Sequence, residues 1–325
     1  MSHFQHRLYL EVGGKFLYDG HASRVLPWFD PTSKEQIFHA LFETMDIIFC
    51  INYDDITRNR QLAKEDIDYT TYVTTMLQDI EKKVWRKPFV ACNKCPREEF
   101  DPHVAHFLAT LQDIWYATYK RYMITGYPHD TMLVLSDQWY GYDDYIPCKA
   151  SLVLVTGAAS NSGKMSTCLW QIYHEHMKWQ DSGYAKYETF PIWNIPLKHP
   201  INLAYEAATA DIEDYNMIDT HHLKAYWVES VNYNRDVEAF DIVKNLADAF
   251  LPENNYTRHY KSPTDMGINK AWFSITDDAA CCAASLEEIR RRAAEYQWMV
   301  DRWDGKQSRV EKCKELEKEC LMFKL

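Results

Sequence analysis

The first half of the chain alternates short apolar runs, typical of buried β-strands, with longer segments in which apolar residues recur at helical spacing. The apolar runs are LYLEV, KFLYD, DIIFCIN, FVACN, YMITGY, TMLVLSD and SLVLVTG, of which the last is the clearest strand in the chain. Helical spacing is found in residues 69–85, 103–121 and 165–179. The alternation predicts an α/β fold in which mostly parallel strands are flanked by helices.

Two capping-box patterns predict where further helices begin. Ser33 with Gln36 starts a helix that is expected to bury an apolar stripe formed by Ile37, Leu41 and Met45. Ser285 with Glu288 predicts the start of a helical region near the end of the chain. The final string SRVEKCKELEKECLMFKL is charged and helical in pattern but has no obvious partner in the chain. We therefore expect it to dock onto another copy of the chain or a partner subunit.

The chain has 325 residues, which is long for a single core because domains commonly hold roughly 100 to 200 residues. We expect an N-terminal α/β unit over 1–150 and a second α/β unit over 151–284. A C-terminal helical segment would follow over 285–325. The sequence shows no internal repeat, low-complexity tract or clear linker, so these parts are expected to pack closely.

Charge and cysteine content narrow the classes of function. The chain carries 36 Lys and Arg against 47 Asp and Glu, and this net charge of -11 repels nucleic-acid backbones and anionic lipid. It has neither an apolar signal segment nor an apolar run of about 18 residues that could span a bilayer. The nine scattered cysteines are typical of reduced thiols. We expect a cytoplasmic protein that binds no nucleic acid and no membrane.

A phosphate-loop-like segment, GAASNSGKMST, lies directly between the clearest strand and an amphipathic helix. Small residues let backbone amides turn inward, the helix amino terminus attracts anions, and Lys164 adds a mobile cation. Five residues rather than four separate Gly157 from Gly163, and Met165 stands where Ser or Thr would bind Mg²⁺. The alternative is a tight turn with a solvated lysine. The predicted phosphate ligands are Gly157, Asn161, Ser162, Gly163, Lys164, Ser166 and Thr167.

Further candidates lie beyond this loop. Lys198 and His199 belong to a string dense in ionisable and aromatic residues, where they could bind an anion or move a proton, and Asp211 could assist a metal. Arg235 is the expected partner of a phosphate or carboxylate. Asp277 ends the apolar run AWFSITD and is a candidate Mg²⁺ ligand. The plain alternative is a polar crossover with ordinary surface charges.

Long and rare strings connect the chain to a known family. EVGGKFLYDGHASRVLPWFDP, SGKMSTCLWQIYHEH, YAKYETFPIWNIPLKHPINLAYEAATADIEDYNMID and YKSPTDMGIN are among those that cover most of residues 7–290. In these strings the chain resembles the uncharacterised UPF0371 (DUF1846) family of bacterial proteins. The resemblance implies a multi-subdomain α/β protein with a degenerate phosphate loop and a tendency to oligomerise. It also implies that members generally continue into a further C-terminal α/β subdomain.

Two functions fit these observations. The first is a nucleotide-dependent transferase or ligase that acts on a small metabolite, with ATP or another nucleotide as cofactor and Mg²⁺ as its companion ion. The second is a non-catalytic or regulatory subunit that senses a small phosphorylated ligand, and Met165 at the metal position favours it. Magnesium-dependent turnover would distinguish the two.

Overall fold

A computed structural model describes residues 4, 6–13, 16–62, 67–124, 130–159, 161–302 and 305–323. The strands are β1 (Arg7–Val12), β2 (Met45–Asn52), β3 (Gln61–Leu62), β4 (Ile67–Asp68), β5 (Phe89–Cys95), β6 (Thr118–Tyr122), β7 (Leu152–Gly157), β8 (Ser182–Tyr187), β9 (Asn216–Ile218), β10 (Val231–Tyr233) and β11 (Gly267–Ile268). The helices are α1 (Gly20–Val25), α2 (Ser33–Ala40), α3 (Tyr53–Thr57), α4 (Tyr69–Val84), α5 (Pro102–Asp113), α6 (Thr131–Val134), α7 (Lys164–His176), α8 (Pro200–Ala208), α9 (Thr220–Tyr226), α10 (Asn234–Phe250), α11 (Pro263–Met266), α12 (Asp278–Asp301) and α13 (Gln307–Met322).

The chain forms two compact units, each assembled from separate stretches of sequence. Unit 1 comprises Met1–Val12, Glu35–Lys186 and Asp241–His259. Unit 2 comprises Gly13–Lys34, Tyr187–Phe240 and Tyr260–Leu325. Among the described residues, no helix is long and apolar enough to cross a bilayer.

Unit 1 is built on a sheet with the spatial strand order β8-β1-β7-β2-β5-β6. Strand β7 pairs in parallel with β1 on one side and β2 on the other, and β2–β5 and β5–β6 are parallel as well. Every residue of β2 is buried, as expected for a central strand covered by helices on both faces. The expected α/β architecture with a mostly parallel sheet is therefore confirmed.

Several local predictions for the first half of the chain are wrong. Residues 16–19 of the predicted strand KFLYD are not a strand, because the Asp19 carboxylate caps α1 by accepting from the Ala22 amide at 3.1 Å. Residues 118–121, predicted to extend a helix, belong to β6 instead. TMLVLSD contains α6 rather than a strand. In the predicted strand YMITGY, Tyr122 ends β6 and the last three residues lie outside the described residues.

The apolar stripe predicted for the helix at Ser33 is also wrong. Helix α2 does begin there, but Ile37 and Leu41 are exposed while Phe38 is buried. Met45 is buried as the first residue of β2 instead of belonging to the helix. The buried apolar residue of α2 is thus Phe38 rather than its neighbour Ile37. The predicted stripe does not form because the helix ends at Ala40, before Leu41 and Met45.

Unit 2 is centred on helices α8, α12 and α13, with α1 packed against them. The prediction that the last helix has no partner in the chain is wrong, because its apolar face joins the same buried cluster as α12 and α8 through Val310, Cys313 and Leu316. The helix start predicted at Ser285 is also wrong. Helix α12 begins at Asp278, and the buried Ser285 hydroxyl donates to the Cys281 carbonyl oxygen at 2.7 Å within it.

Candidate functional site

The loop between β7 and α7 leads into an open helix amino terminus. The amide of Ala158 donates to the Cys50 carbonyl oxygen at 3.1 Å, which ties the start of the loop to β2. Asn161 and Gly163 have φ angles of 61° and 86°, so the chain turns sharply before Lys164 begins the helix. Gly163 occupies the capping position, and within the described part of this loop no side chain caps α7. The first amides of a helix lack intrahelical acceptors, so this end is suited to an anion.

The interior of the loop is closely packed by protein side chains. A methyl group added at Gly157 would overlap the Ser162 hydroxyl oxygen and lie 2.9 Å from the Cys50 carbonyl oxygen. At Gly163 it would lie 2.9 Å from Cγ of Asn93. The Ser162 hydroxyl is fully buried and makes no hydrogen bond within the described part of the chain. An anion would therefore lie at the amino end of α7 rather than enclosed by the loop.

Arg121, which the sequence analysis missed, lies beside the first turn of α7. It comes from β6 and is only 3% exposed. Its guanidinium donates to Asn93 Oδ1 at 2.9 Å and to the hydroxyls of Ser166 and Thr167 at 3.3 Å each. The guanidinium also lies over the ring of Trp170, 4.6 Å from its centre. A delocalised cation is thus fixed next to two of the predicted phosphate ligands.

Asn93 links the loop to this arginine. Its side-chain amide donates to the Ser162 carbonyl oxygen at 2.7 Å, while its oxygen accepts from Arg121. Asn93 lies near the end of β5, which is two strands from β7 in the parallel order, and Arg121 lies near the end of β6, the next strand after β5. The carboxyl ends of parallel strands share one edge of a sheet, where ligands commonly bind. The signal in the sequence that could have identified Asn93 and Arg121 is that both are polar residues near the ends of strands.

Asp143 is the buried carboxylate that faces Arg121. Its Oδ2 lies 3.6 Å from the arginine Nε, and neither atom has a hydrogen-bond partner among the described residues. Oδ1 accepts from the Tyr122 amide at 3.2 Å. Burial raises the pKa of Asp143 to about 6, although the positive charge of Arg121 acts in the opposite direction. A carboxyl group with such a pKa can both give and take a proton near neutral pH.

Lys164 is held near a second buried carboxylate. Its ammonium lies 3.9 Å from Oε1 of Glu11, and its side chain is 19% exposed. Glu11, on β1, also accepts a hydrogen bond from the Tyr184 hydroxyl at 2.8 Å. The lysine is therefore partly shielded from solvent at the amino end of α7, where its ammonium could reach an anion.

The three predicted catalytic residues Lys198, His199 and Asp211 lie in unit 2 and have separate partners. Lys198 is exposed and forms an ion pair of 2.8 Å with Glu319. Asp211 accepts a hydrogen bond of 3.4 Å from the Tyr296 hydroxyl. His199 is buried and caps α8 by accepting from the Ile201 amide. These contacts do not bring the three side chains to one point.

Arg235 and Asp277 also belong to unit 2 and are engaged locally. The guanidinium of Arg235 forms a two-point ion pair with the buried carboxylate of Asp214. The Asp277 carboxylate caps α12 by accepting from the Ala280 amide at 3.0 Å. The run AWFSITD before it is not a strand, since residues 271–274 form a 3₁₀ turn. Asp277 therefore has a structural role as a helix cap.

Comparison with known proteins identifies relatives over almost the whole chain. Residues 1–321 match the family described as "Domain of unknown function DUF1846, N-terminal". The chain is 42% identical over 286 residues to UPF0371 proteins of Fusobacterium nucleatum and Clostridium tetani. The alignments cover 88% of this chain but only 55% and 56% of those relatives, so the chain spans about half their length. With its parallel sheet and the strand-loop-helix described above, the chain belongs to the DUF1846 (UPF0371) family.

Proposed function

We propose that the amino end of α7 binds a phosphate group of a small ligand, most simply a nucleotide such as ATP. One observation carries the proposal. The helix begins without a side-chain cap, and two cationic side chains, Lys164 and Arg121, lie at or beside its first turn. The partial positive charge of the helix end and the two cations all favour negative charge at the same place.

The two buried carboxylates fit this proposal as counter-charges to the two cations. Glu11 and Asp143 lie 3.9 and 3.6 Å from nitrogen atoms of Lys164 and Arg121, farther than a direct hydrogen bond. A phosphate oxygen placed within about 2.7–2.9 Å of the same nitrogens would make stronger charge-assisted bonds. On binding, the phosphate would therefore replace Glu11 as the ionic partner of Lys164, and no further cation would be needed.

For the chemistry at this site we infer a nucleotide-dependent transferase or ligase acting on a small metabolite. The support is Asp143, whose pKa of about 6 suits a group that removes a proton from an attacking nucleophile. Glu11 or the hydroxyls of Ser166 and Thr167 would supply oxygen ligands to Mg²⁺, which prefers such ligands. Because the chain spans about half the length of its relatives, the activity of the longer proteins is part of the same proposal.

A non-catalytic sensor of a phosphorylated metabolite is the second candidate. Met165 has no oxygen for Mg²⁺, and the Ser166 hydroxyl accepts hydrogen bonds from both terminal nitrogens of Arg121. A hydroxyl used in this way is less available to a metal, so ligand binding without turnover is the expected behaviour of this candidate.

A thermal-shift screen tests binding directly. Nucleotides, sugar phosphates and inorganic phosphate would be added to the wild type and to Lys164→Ala, with and without Mg²⁺. A ligand at about 100 times its Kd stabilises the folded state by roughly 2.7 kcal/mol. Lys82→Ala removes an exposed lysine from the last turn of α4 in the same unit and is the matched control. The proposal is refuted if no phosphorylated compound stabilises the wild type, or if Lys164→Ala responds as the control does.

The remaining inferences concern location and assembly. Nine unpaired cysteines support a reducing compartment such as the cytoplasm. Association with another copy or a partner subunit would use the exposed end of α13, where Leu321 and Met322 are 60% and 70% exposed, because the rest of its apolar face is buried in unit 2.

A further inference from the structure

Three side chains of unit 2 with metal-binding chemistry converge where α8 and α12 begin. His199 precedes the first residue of α8, while Asp278 and Cys282 lie four residues apart on one face of α12. His199 Nε2 lies 3.0 Å from an Asp278 oxygen and 4.0 Å from the Cys282 sulfur. One ligand atom of each residue lies within 4.8 Å of the other two.

We propose that this cluster is a binding site for a thiophilic divalent cation, with Zn²⁺ as the best fit. Imidazole nitrogen, carboxylate oxygen and thiolate sulfur are the three ligand types that zinc uses in proteins, at about 2.0–2.3 Å. In a tetrahedral site, such bond lengths place neighbouring ligand atoms roughly 3.3–3.8 Å apart. The observed separations of 3.0 and 4.0 Å bracket this range, so small side-chain rotations suffice. Mg²⁺ and Ca²⁺ prefer all-oxygen sites and fit poorly.

The site can be reached from solvent on one side. Of the nine cysteines, Cys282 is partly exposed and the other eight are buried. The Asp278 side chain is 46% exposed, whereas that of His199 is 4% exposed. The ring of Phe323 packs edge-on against the imidazole with 4.9 Å between ring centres. The open side leaves room for a water molecule as the fourth zinc ligand.

Two protons must move when the cation binds. The Ile201 amide donates to His199 Nδ1 at 3.3 Å, so Nε2 carries the imidazole proton and donates it to Asp278. To ligate through Nε2, the imidazole must shift this proton to Nδ1 and give up the long bond from Ile201. The Cys282 thiol releases its proton to solvent and binds as thiolate. Affinity is therefore expected to increase with pH.

The proposed zinc site shares no residue with the proposed phosphate site. His199, Asp278 and Cys282 belong to unit 2, whereas Lys164 and Arg121 belong to unit 1. Bound zinc would join the capping residue of α8 to the first two turns of α12, which already pack together. A cation that binds only the folded protein stabilises it. If the protein binds no phosphate, the zinc proposal is therefore unaffected, and if it binds no zinc, the phosphate proposal is unaffected.

Thiol labelling of the native full chain tests the site. With a water-soluble thiol reagent, we expect Cys282 to react before the other eight cysteines, which are buried, and its labelling should be slowed by Zn²⁺ and not by Mg²⁺. Calorimetric titration with Zn²⁺ should give one site per chain. Cys282→Ser and Asp278→Asn, both at partly or fully exposed positions, should each lower the affinity for Zn²⁺ by about 10-fold or more.

Glu287→Gln is the matched control for the carboxylate. Glu287 is exposed on α12 more than two turns beyond Asp278, so this variant removes one negative charge from the same helix without touching the cluster. Its Zn²⁺ affinity should equal that of the wild type. The proposal is overturned if Zn²⁺ leaves the labelling rate of Cys282 unchanged, or if Cys282→Ser and Asp278→Asn bind Zn²⁺ as the control does.

Discussion

Asp143 is expected to make the stability of unit 1 decrease as pH rises. Its carboxyl group is 4% exposed, and burial raises its pKa from the ordinary value of 3.8 to about 6. The folded protein therefore holds this proton more tightly than the unfolded chain does. The resulting stabilisation is complete below about pH 4 and is lost as pH rises through about 6.

The magnitude follows from the size of this shift. Raising a pKa from 3.8 to about 6 corresponds to about 3 kcal/mol, because each unit is worth about 1.36 kcal/mol. Between about pH 4 and about pH 8, roughly 2 to 3 kcal/mol of this should be lost. Asp143→Asn cannot ionise but still accepts from the Tyr122 amide, so it should lack this pH-dependent loss.

Urea denaturation at several pH values provides the assay. The unfolding free energy of Asp143→Asn minus that of the wild type should increase by about 2 to 3 kcal/mol between about pH 4 and about pH 8. Asp144→Asn removes the neighbouring exposed carboxylate and should show no comparable change. If the two variants have the same pH dependence, the buried carboxyl does not titrate as described and its role in proton transfer is wrong.

Three further changes test the packing around the sites. Gly163→Ala should cost about 1–2 kcal/mol of stability, because φ is 86° and a Cβ would meet Asn93; an unchanged melting temperature would contradict the loop geometry. Leu316→Ala should cost about 2–5 kcal/mol in urea denaturation through a cavity beneath α13, and a loss of only a few tenths would contradict its burial. Asp277→Ala should cost about 0.5–2 kcal/mol by removing the bond to the Ala280 amide, while Asp277→Asn should cost little.

The central elements of unit 1 could be predicted because their local and long-range signals agree. The runs DIIFCIN, FVACN and SLVLVTG form β2, β5 and β7, and the helix that follows β7 begins at Lys164, next to the start of its amphipathic pattern. Continuous apolar runs are typical of strands that are buried on both faces. Such strands leave little alternative to a parallel sheet covered by helices.

The errors occurred where capping or tertiary packing overrides local pattern. TMLVLSD has the composition of a strand, but the Asp130 carboxylate caps it into the short helix α6 by accepting from the Leu133 amide. The capping box at Ser285 failed because a longer helix already starts after Asp277. Local patterns also could not predict which residues make up each unit, because each unit combines segments that are far apart in the sequence.

Only part of the candidate site could be predicted from the sequence. The loop and Lys164 carry a recognisable pattern, whereas Arg121 and Asn93 come from strands about 40 and 70 residues earlier, and only the sheet order brings them to α7. Asp143 could not be singled out from the sequence, because its unusual pKa arises from burial that the sequence does not reveal.

The most direct test of the proposed phosphate site is calorimetric titration of ATP, with and without Mg²⁺, into the wild type, Lys164→Ala and the control Lys82→Ala. Loss of one charge-assisted contact of about 1.5–3 kcal/mol should weaken binding to Lys164→Ala by roughly 10- to 100-fold, while Lys82→Ala should bind as the wild type does. Equal affinity of all three proteins for ATP, or heat of binding in none of them, would contradict a nucleotide phosphate at the amino end of α7.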